Sequence, residues 1–208
     1  MSAKTIQNTS IQTLIWCMMM ITVGCTQSPP EEEVVAAPTI YDGCCGTEPK
    51  QLTIGSLNVY IPNIITPNGD GINDVFIPQS NSMTNATFYV VNFYIYDTLD
   101  NVIIYARGLN VEDTKNWGFT GIASKTPFNP STQSNYKYTG KFKYSFTVGN
   151  RFPDGNGIDV EVKGEGCVVR CDEDAHVIKT KNGCYFPIQG VNGVYDGTIP
   201  NQEENCIK

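Results

Sequence analysis

The residues with the clearest capacity for chemistry stand in the string Thr66-Pro67-Asn68-Gly69-Asp70-Gly71-Ile72-Asn73-Asp74, where side-chain oxygens alternate around glycines. An EF-type calcium loop takes ligands at positions one, three, five, seven and nine, turns on a glycine at six and closes with a bidentate Glu at twelve. Counted from Thr66, the ligand positions hold Thr66, Asn68, Asp70, the Ile72 carbonyl and Asp74, with Gly71 at the turn. Position one is then Thr rather than Asp and position twelve is Ile77 rather than Glu, so calcium would be held weakly. The same residues suit a self-sufficient turn. Pro67 fixes φ, Gly69 and Gly71 supply positive φ, and Asn68, Asp70 and Asp74 close Asx-type hydrogen bonds onto nearby amides. Both readings stay open on sequence alone, and no cofactor other than calcium is called for.

Catalysis finds little support. Asp172-Glu173-Asp174 is the densest carboxylate cluster, but acids adjacent along a chain seldom face each other across a substrate. His176 is the single histidine, and no Gly-x-Ser-x-Gly elbow, phosphate loop or His-Glu-x-x-His pair accompanies it. The expectation is a non-enzymatic protein with no catalytic residues. A formal charge of −7 and a pI near 4.7 also exclude a nucleic-acid partner, which needs a concentrated Lys/Arg face.

Eight cysteines are present, and one has a covalent role that sets the compartment. Lys4 precedes the apolar run Thr13 to Ile21, far short of the roughly 20 residues of a bilayer span, so residues 1–24 read as a signal peptide. The run ends in Thr22-Val23-Gly24-Cys25, which resembles a lipoprotein signal-peptidase box and implies lipidation of Cys25. More than one acyl chain on that residue suffices for stable membrane anchoring. Cleavage leaves 184 residues with 13 basic and 21 acidic side chains, a net charge of −8. Residues 25–50 begin Thr26-Gln27-Ser28-Pro29-Pro30-Glu31-Glu32-Glu33, an acidic, Pro-rich tether. It resembles the acidic export signal of surface lipoproteins in gliding-type Gram-negative bacteria, which implies an outer-membrane lipoprotein displayed at the cell surface.

The remaining Cys44, Cys45, Cys167, Cys171, Cys184 and Cys206 suit three disulfides in an oxidising compartment; their spacing lacks paired zinc knuckles. On one extended strand Cys167 and Cys171 would lie about 13 Å apart, too far to pair. Cys44 and Cys45 are therefore expected to bond Cys167 and Cys171, in either order, and Cys184 to bond Cys206.

These groups must be positioned by strands. Nineteen glycines, twelve prolines and 20 Phe plus Tyr residues point to short strands joined by punctuated turns. Period-two alternation marks Leu57 to Ile61, parts of Thr87 to Tyr96, Val102 to Tyr105, Lys141 to Val148 and Ile158 to Val162, with no convincing helical period. The pattern predicts an all-β antiparallel sandwich of about seven strands over residues 51–172, followed by a loop-rich, disulfide-stapled tail at 173–208. Trp117, Phe142, Tyr144 and Phe146 are assigned to the core or a sheet face, with a ligand platform as the alternative.

The string Ile61-Pro62-Asn63-Ile64-Ile65-Thr66-Pro67-Asn68-Gly69-Asp70-Gly71-Ile72-Asn73-Asp74-Val75-Phe76 resembles the opening of the gliding-motility-associated C-terminal domain, a module of proteins exported by the type 9 secretion system. Tyr94-Ile95-Tyr96-Asp97, Val102-Ile103-Ile104-Tyr105, Asn116-Trp117-Gly118 and Gly140 to Phe146 follow in the family's order, so the resemblance covers about residues 52–172. Thr98-Leu99-Asp100 departs from the family's Arg-Trp-Gly turn. The resemblance implies an immunoglobulin-like β-sandwich. Here the domain is the main body behind a lipoprotein leader, so the expected role is an anchored envelope module for binding or assembly; the alternative is a carbohydrate-binding surface lipoprotein. Asp97-Thr98-Leu99 further resembles an O-glycosylation acceptor of the same bacteria, with Thr98 as the modified residue; a hairpin turn explains the same residues.

Overall fold

The structure is a computed structural model that describes residues 40–44, 46–113, 117–129, 134–151, 157–171, 190–191, 193–195, 203 and 206. All of them lie within one compact unit, 38–208. Among the described residues every regular element is a strand: β1 Lys50–Ile54, β2 Leu57–Ile61, β3 Ile64–Ile65, β4 Gln79–Ser80, β5 Phe88–Tyr96 and β6 Val102–Leu109. The order continues with β7 Ile122–Ser124, β8 Asn135–Lys137, β9 Gly140–Arg151, β10 Gly157–Val168, β11 Gly190–Val191 and β12 Val194–Tyr195. No described helix is long and apolar enough to cross a membrane.

The strands form a five-stranded sheet, β3-β10-β9-β5-β6, a three-stranded sheet, β1-β2-β4, and two small pairs, β7-β8 and β11-β12. β9 and β10 are the longest, twelve residues each, and pair antiparallel from Gly157 opposite Arg151 to Val168 opposite Gly140. Alternation along β9 buries Phe142, Tyr144, Phe146 and Val148. β2 sends Leu57, Val59 and Ile61 into the same apolar cluster, so the two larger sheets share one core. At its centre the fully buried Phe76 ring lies 4.9 Å from Tyr144, 5.1 Å from Phe142 and 6.2 Å from Phe93, centroid to centroid. Backbone bonds of 2.8 and 3.0 Å exchanged with Phe119 hold Phe76 there.

Several sequence expectations change. Twelve strand segments are described where about seven were expected, because brief pairings such as β3 and β4 carry too few residues to show a period. The sheets are not wholly antiparallel: β3 joins β10 in parallel, Ile64 opposite Cys167 and Ile65 opposite Val168. The chain leaves the three-stranded sheet at Ile61 and enters the larger sheet at Ile64, with Pro62, which has no amide proton to donate, in the step between. The packed body also reaches into the expected tether, since Tyr41 and Cys44 are buried and β1 starts at Lys50. Phe142, Tyr144 and Phe146 are core, as expected, whereas Trp117 is 42% exposed.

Cys44 bonds Cys167 across 123 residues, one of the two cross-pairings expected. The other expected bridges are corrected: Cys171 bonds Cys206, with Cα atoms 4.4 Å apart, rather than Cys44 or Cys45, and so Cys206 does not bond Cys184. The reason is that β10 ends at Val168. Beyond it the Arg170 guanidinium donates to the carbonyls of Gly121 (2.6 Å) and Tyr138 (2.9 Å), and its amide to the Tyr41 hydroxyl. This places Cys171 past the sheet, beside the tail. Cys45 and Cys184 lie outside the described residues. The two bridges close loops worth about 5 and 4 kcal/mol in the chain-entropy treatment, and Tyr41, Cys44, Ile64, Cys167, Val169 and Cys206 form a small second core around them.

Two strand glycines show how tightly β9 and β10 are matched. Gly164 and Gly166 stand opposite Tyr144 and Phe142, and those rings occupy the space a Cβ would need. Gly166→Ala must therefore displace the buried Phe142 ring and is expected to cost about 1–3 kcal/mol in denaturant titration. A loss below about 0.5 kcal/mol would show that the ring yields freely.

Candidate functional site

The Thr66 to Asp74 loop folds as a turn closed by its own side chains. Gly69 and Gly71 take φ of +87° and +86°, where only glycine is unstrained. Asp74 accepts the amides of Gly69 (2.8 Å) and Gly71 (2.7 Å) with its two oxygens. Asp70 accepts the Ile72 amide (2.8 Å) and the Asn68 side-chain amide (2.9 Å), and Asn68 Oδ1 accepts the Asp70 amide (2.9 Å).

Of the five residues considered for calcium, Asn68, Asp70 and Asp74 thus each bond to groups of the loop itself, Asn68 and Asp70 to one another and Asp74 to the glycine amides. Ile72 gives its amide to Asp70, and Thr66 is buried. The Thr66 hydroxyl donates to Glu203, which also accepts from Asn73 Nδ2 (3.2 Å). Glu203 is 1% exposed and comes from the far end of the chain, so no local spacing could reveal it. The described residues contain no group of three or more His, Cys, Asp or Glu placed to hold a metal.

Two predictions follow from this geometry. If the loop is self-sufficient, calorimetric titration at about 1 mM calcium gives no saturable heat, whereas a saturable isotherm would establish the metal reading. The second concerns pH. Burial pushes the Glu203 carboxyl up, with Asp70 and Asp74 adding to it, against the lowering effect of its bonds from Thr66 and Asn73. A raised carboxyl favours the folded state most below its ordinary value of 4.5 and loses that advantage as pH rises. The melting temperature of the wild type minus that of Glu203→Gln should therefore grow as pH falls from about 7 toward 4.5. A constant difference would show that Glu203 is not shifted.

A different surface has the character of a binding site: the outer face of the five-stranded sheet. A β-bulge creates it. Val91 pairs Thr147 and Tyr94 pairs Ser145, so Asn92 and Phe93 together oppose one residue of β9. Asn92 adopts φ +53°, and the extra residue shifts the alternation. Phe88 and Val90 face the core before the bulge, Phe93 and Ile95 after it, and Tyr94 and Tyr96 are left on the outside.

Cross-strand pairing extends this outer row. Tyr94 stands opposite Tyr105 of β6, with ring centroids 4.8 Å apart, and 6.0 Å from Tyr96 on its own strand. Tyr105 lies 5.2 Å from Phe128, which is 62% exposed. Desolvation among these rings pushes the Tyr94 phenol up, with Tyr105 and Tyr96 contributing. Alongside runs a groove of about 380 Å³ lined by Tyr96, Asp100, Lys143, Ser145, Lys163 and Glu165, among others. A second, of about 310 Å³, lies over Asn92, Tyr94, Thr147 and Glu161. Sequence reasoning placed Tyr94, Tyr96 and Tyr105 on strands but not in a site. Alternation was the available signal, and the bulge at Asn92 conceals its phase.

The remaining candidates separate. Thr98 sits exposed in the β5–β6 turn, next to Leu99 at 80% exposure. That turn is the hairpin expected: partial burial pushes the Asp97 carboxyl up, but bonds from Asn101 and the Leu99 amide hold it below the ordinary range. Asp172, Glu173, Asp174, His176 and Cys25 lie outside the described residues. Comparison with family models, curated proteins and solved structures finds no match to the chain.

Proposed function

We propose that the chain is a non-catalytic, lipid-anchored module of the cell envelope, carried on an immunoglobulin-like β-sandwich, that works by binding through the outer face of its five-stranded sheet. The carrying observation is the row Tyr96, Tyr94, Tyr105 and Phe128, three tyrosines of the outer sheet face followed by an exposed phenylalanine of the β7–β8 connection, none of which belongs to a core cluster among the described residues. Aromatic area gathered on one face is what a binding surface uses, since isolated exposed apolar residues carry no such meaning.

Other features support the setting. The Thr22-Val23-Gly24-Cys25 box and the acidic stretch behind it suit an outer-membrane lipoprotein facing outward, and two disulfides suit an oxidising compartment. The resemblance of residues 61–76 to the gliding-motility-associated C-terminal domain favours a role in binding or assembly linked to gliding or type 9 secretion. The exposed Thr98 is accessible to a glycosylating enzyme in that setting.

Two measurements test this reading. In whole cells, an external protease should remove the protein, and Cys25→Ser should release it from the membrane fraction; retention of the variant in the membrane would overturn the anchor. The purified mature chain should bind isolated envelopes of its host, and Tyr94→Ala combined with Tyr105→Ala should weaken that binding about tenfold or more while the variant still unfolds cooperatively, its melting temperature lowered by loss of the cross-strand ring pair. Undiminished binding by the double variant would remove the assignment of this face.

A further inference from the structure

Tyrosine rings of the outer face pack against one another, and phenols held in contact can be joined covalently, whatever the face binds. Tyr94 and Tyr105 stand directly opposite on β5 and β6, with ring centroids 4.8 Å apart and planes inclined at 34°. Directly opposed side chains leave a sheet in the same direction, so the phenol end of one ring stands level with that of the other. Tyr96 is placed differently. Its ring lies 6.0 Å from Tyr94 and close to parallel with it, and its hydroxyl is shared with Ser145 at 3.0 Å. Of the other tyrosines, Tyr41, Tyr60 and Tyr144 are buried, while Tyr89 bonds Asp159 beneath the Arg151 guanidinium.

Both rings of the Tyr94 and Tyr105 pair are partly exposed, and Tyr94 lines the groove of about 310 Å³, so an oxidant in solution can reach them. Their place in the sheet gives a covalent link its consequence. β6 is an edge strand of the five-stranded sheet and pairs with β5 alone. Strands bonded on one side only open more readily than central ones, and a tie across the pair fastens that edge.

We propose that Tyr94 and Tyr105 form a site of oxidative cross-linking, at which a haem peroxidase using hydrogen peroxide joins the two rings as a dityrosine and so fastens β6 to β5. Each phenol gives up one electron and one proton, and the peroxide takes both sets to become two waters. The two phenoxyl radicals then form a carbon–carbon bond between positions ortho to oxygen. The hydrogens on those two carbons move to the oxygens, which restores both phenols and completes the balance. Rings held side by side have an effective concentration on the order of millimolar or more, so at about 10 µM chain the internal link outpaces coupling between molecules by about a hundredfold. The reaction suits the same oxidising compartment that the two disulfides suit.

In the test, the full mature chain at about 10 µM is treated with a haem peroxidase and hydrogen peroxide, then cut at aspartates. Asp97 and Asp100 lie between the two tyrosines, so cleavage separates Tyr94 from Tyr105 unless the rings are bonded. The expected product is a monomer lighter by two hydrogen atoms, with dityrosine fluorescence and one fused peptide that carries both residues. Tyr105→Phe, which keeps the ring pair, should lower the fused product at least about tenfold, and Tyr96→Phe should leave it unchanged. Monomer dityrosine that persists in Tyr105→Phe, coupling found only between molecules, or no coupling at all would each overturn the site. In the cross-linked chain, amide exchange of Val102 to Leu109 should slow by about tenfold. Unchanged exchange would overturn the fastening of β6.

Discussion

The Phe76 ring is wholly enclosed by Phe93, Phe142, Tyr144 and Phe146, side chains of two strands of the five-stranded sheet. Burying such a ring is worth about 1.5–3 kcal/mol by transfer alone, and edge-to-face contacts such as that with Phe142 add to it. Its consequences run in both directions along the chain. Upstream, fixing Phe76 fixes the exit of the Thr66 to Asp74 loop, whose entry is held by β3 against β10. With both ends pinned, the short Asx bonds inside the loop lose little entropy in forming. Across the core, the backbone bridge from Phe76 to Phe119 brings in the chain that leads to β7.

An aromatic core of this size constrains the sheet that lines it. Phe88, Val90, Phe93 and Ile95 of β5 must all point inward, yet strict alternation would turn Phe93 out if Val90 points in. The bulge at Asn92 resolves the conflict, and the positive φ it demands falls on a residue type that tolerates it. The tyrosine row on the outside is thus a by-product of packing on the inside. Glycines settle the same problem between β9 and β10, where Gly164 and Gly166 make room for inward rings of the neighbouring strand.

The ends of the body are held by covalent and polar ties, since apolar area there is small. Cys44–Cys167 and Cys171–Cys206 join distant parts of the chain to the end of β10, while Arg170 and Tyr41 occupy each other's hydrogen-bonding groups between the bridges. Glu203 completes the attachment by accepting from Thr66 and Asn73, so the tail and the glycine-rich loop stabilise one another. Protonation favours the folded state there because it removes a charge from a buried position, and relief of repulsion from Asp70 and Asp74 adds to this, although the bonds from Thr66 and Asn73 favour the ionised form.

Local chemistry made much of this legible before any coordinates. Leu57 to Ile61 matches β2 residue for residue because alternating β-branched and apolar residues admit few other arrangements, and the roles of Gly69, Gly71 and Asp74 follow from turn stereochemistry within a few residues. The Cys44–Cys167 bond was among the pairings left open by strand geometry, whereas the partner of Cys171 was not. Other features depend on residues far apart in sequence. Ile64 and Cys167 meet in a parallel pair, Cys171 is carried past the sheet by Arg170, and Glu203 reaches Thr66 across 137 residues. Alternation specifies that successive side chains oppose one another, but not which set faces inward once a bulge intervenes. Only packing around Phe76 decided that Tyr94 and Tyr96 lie outside, and only pairing with β6 set Tyr105 beside them.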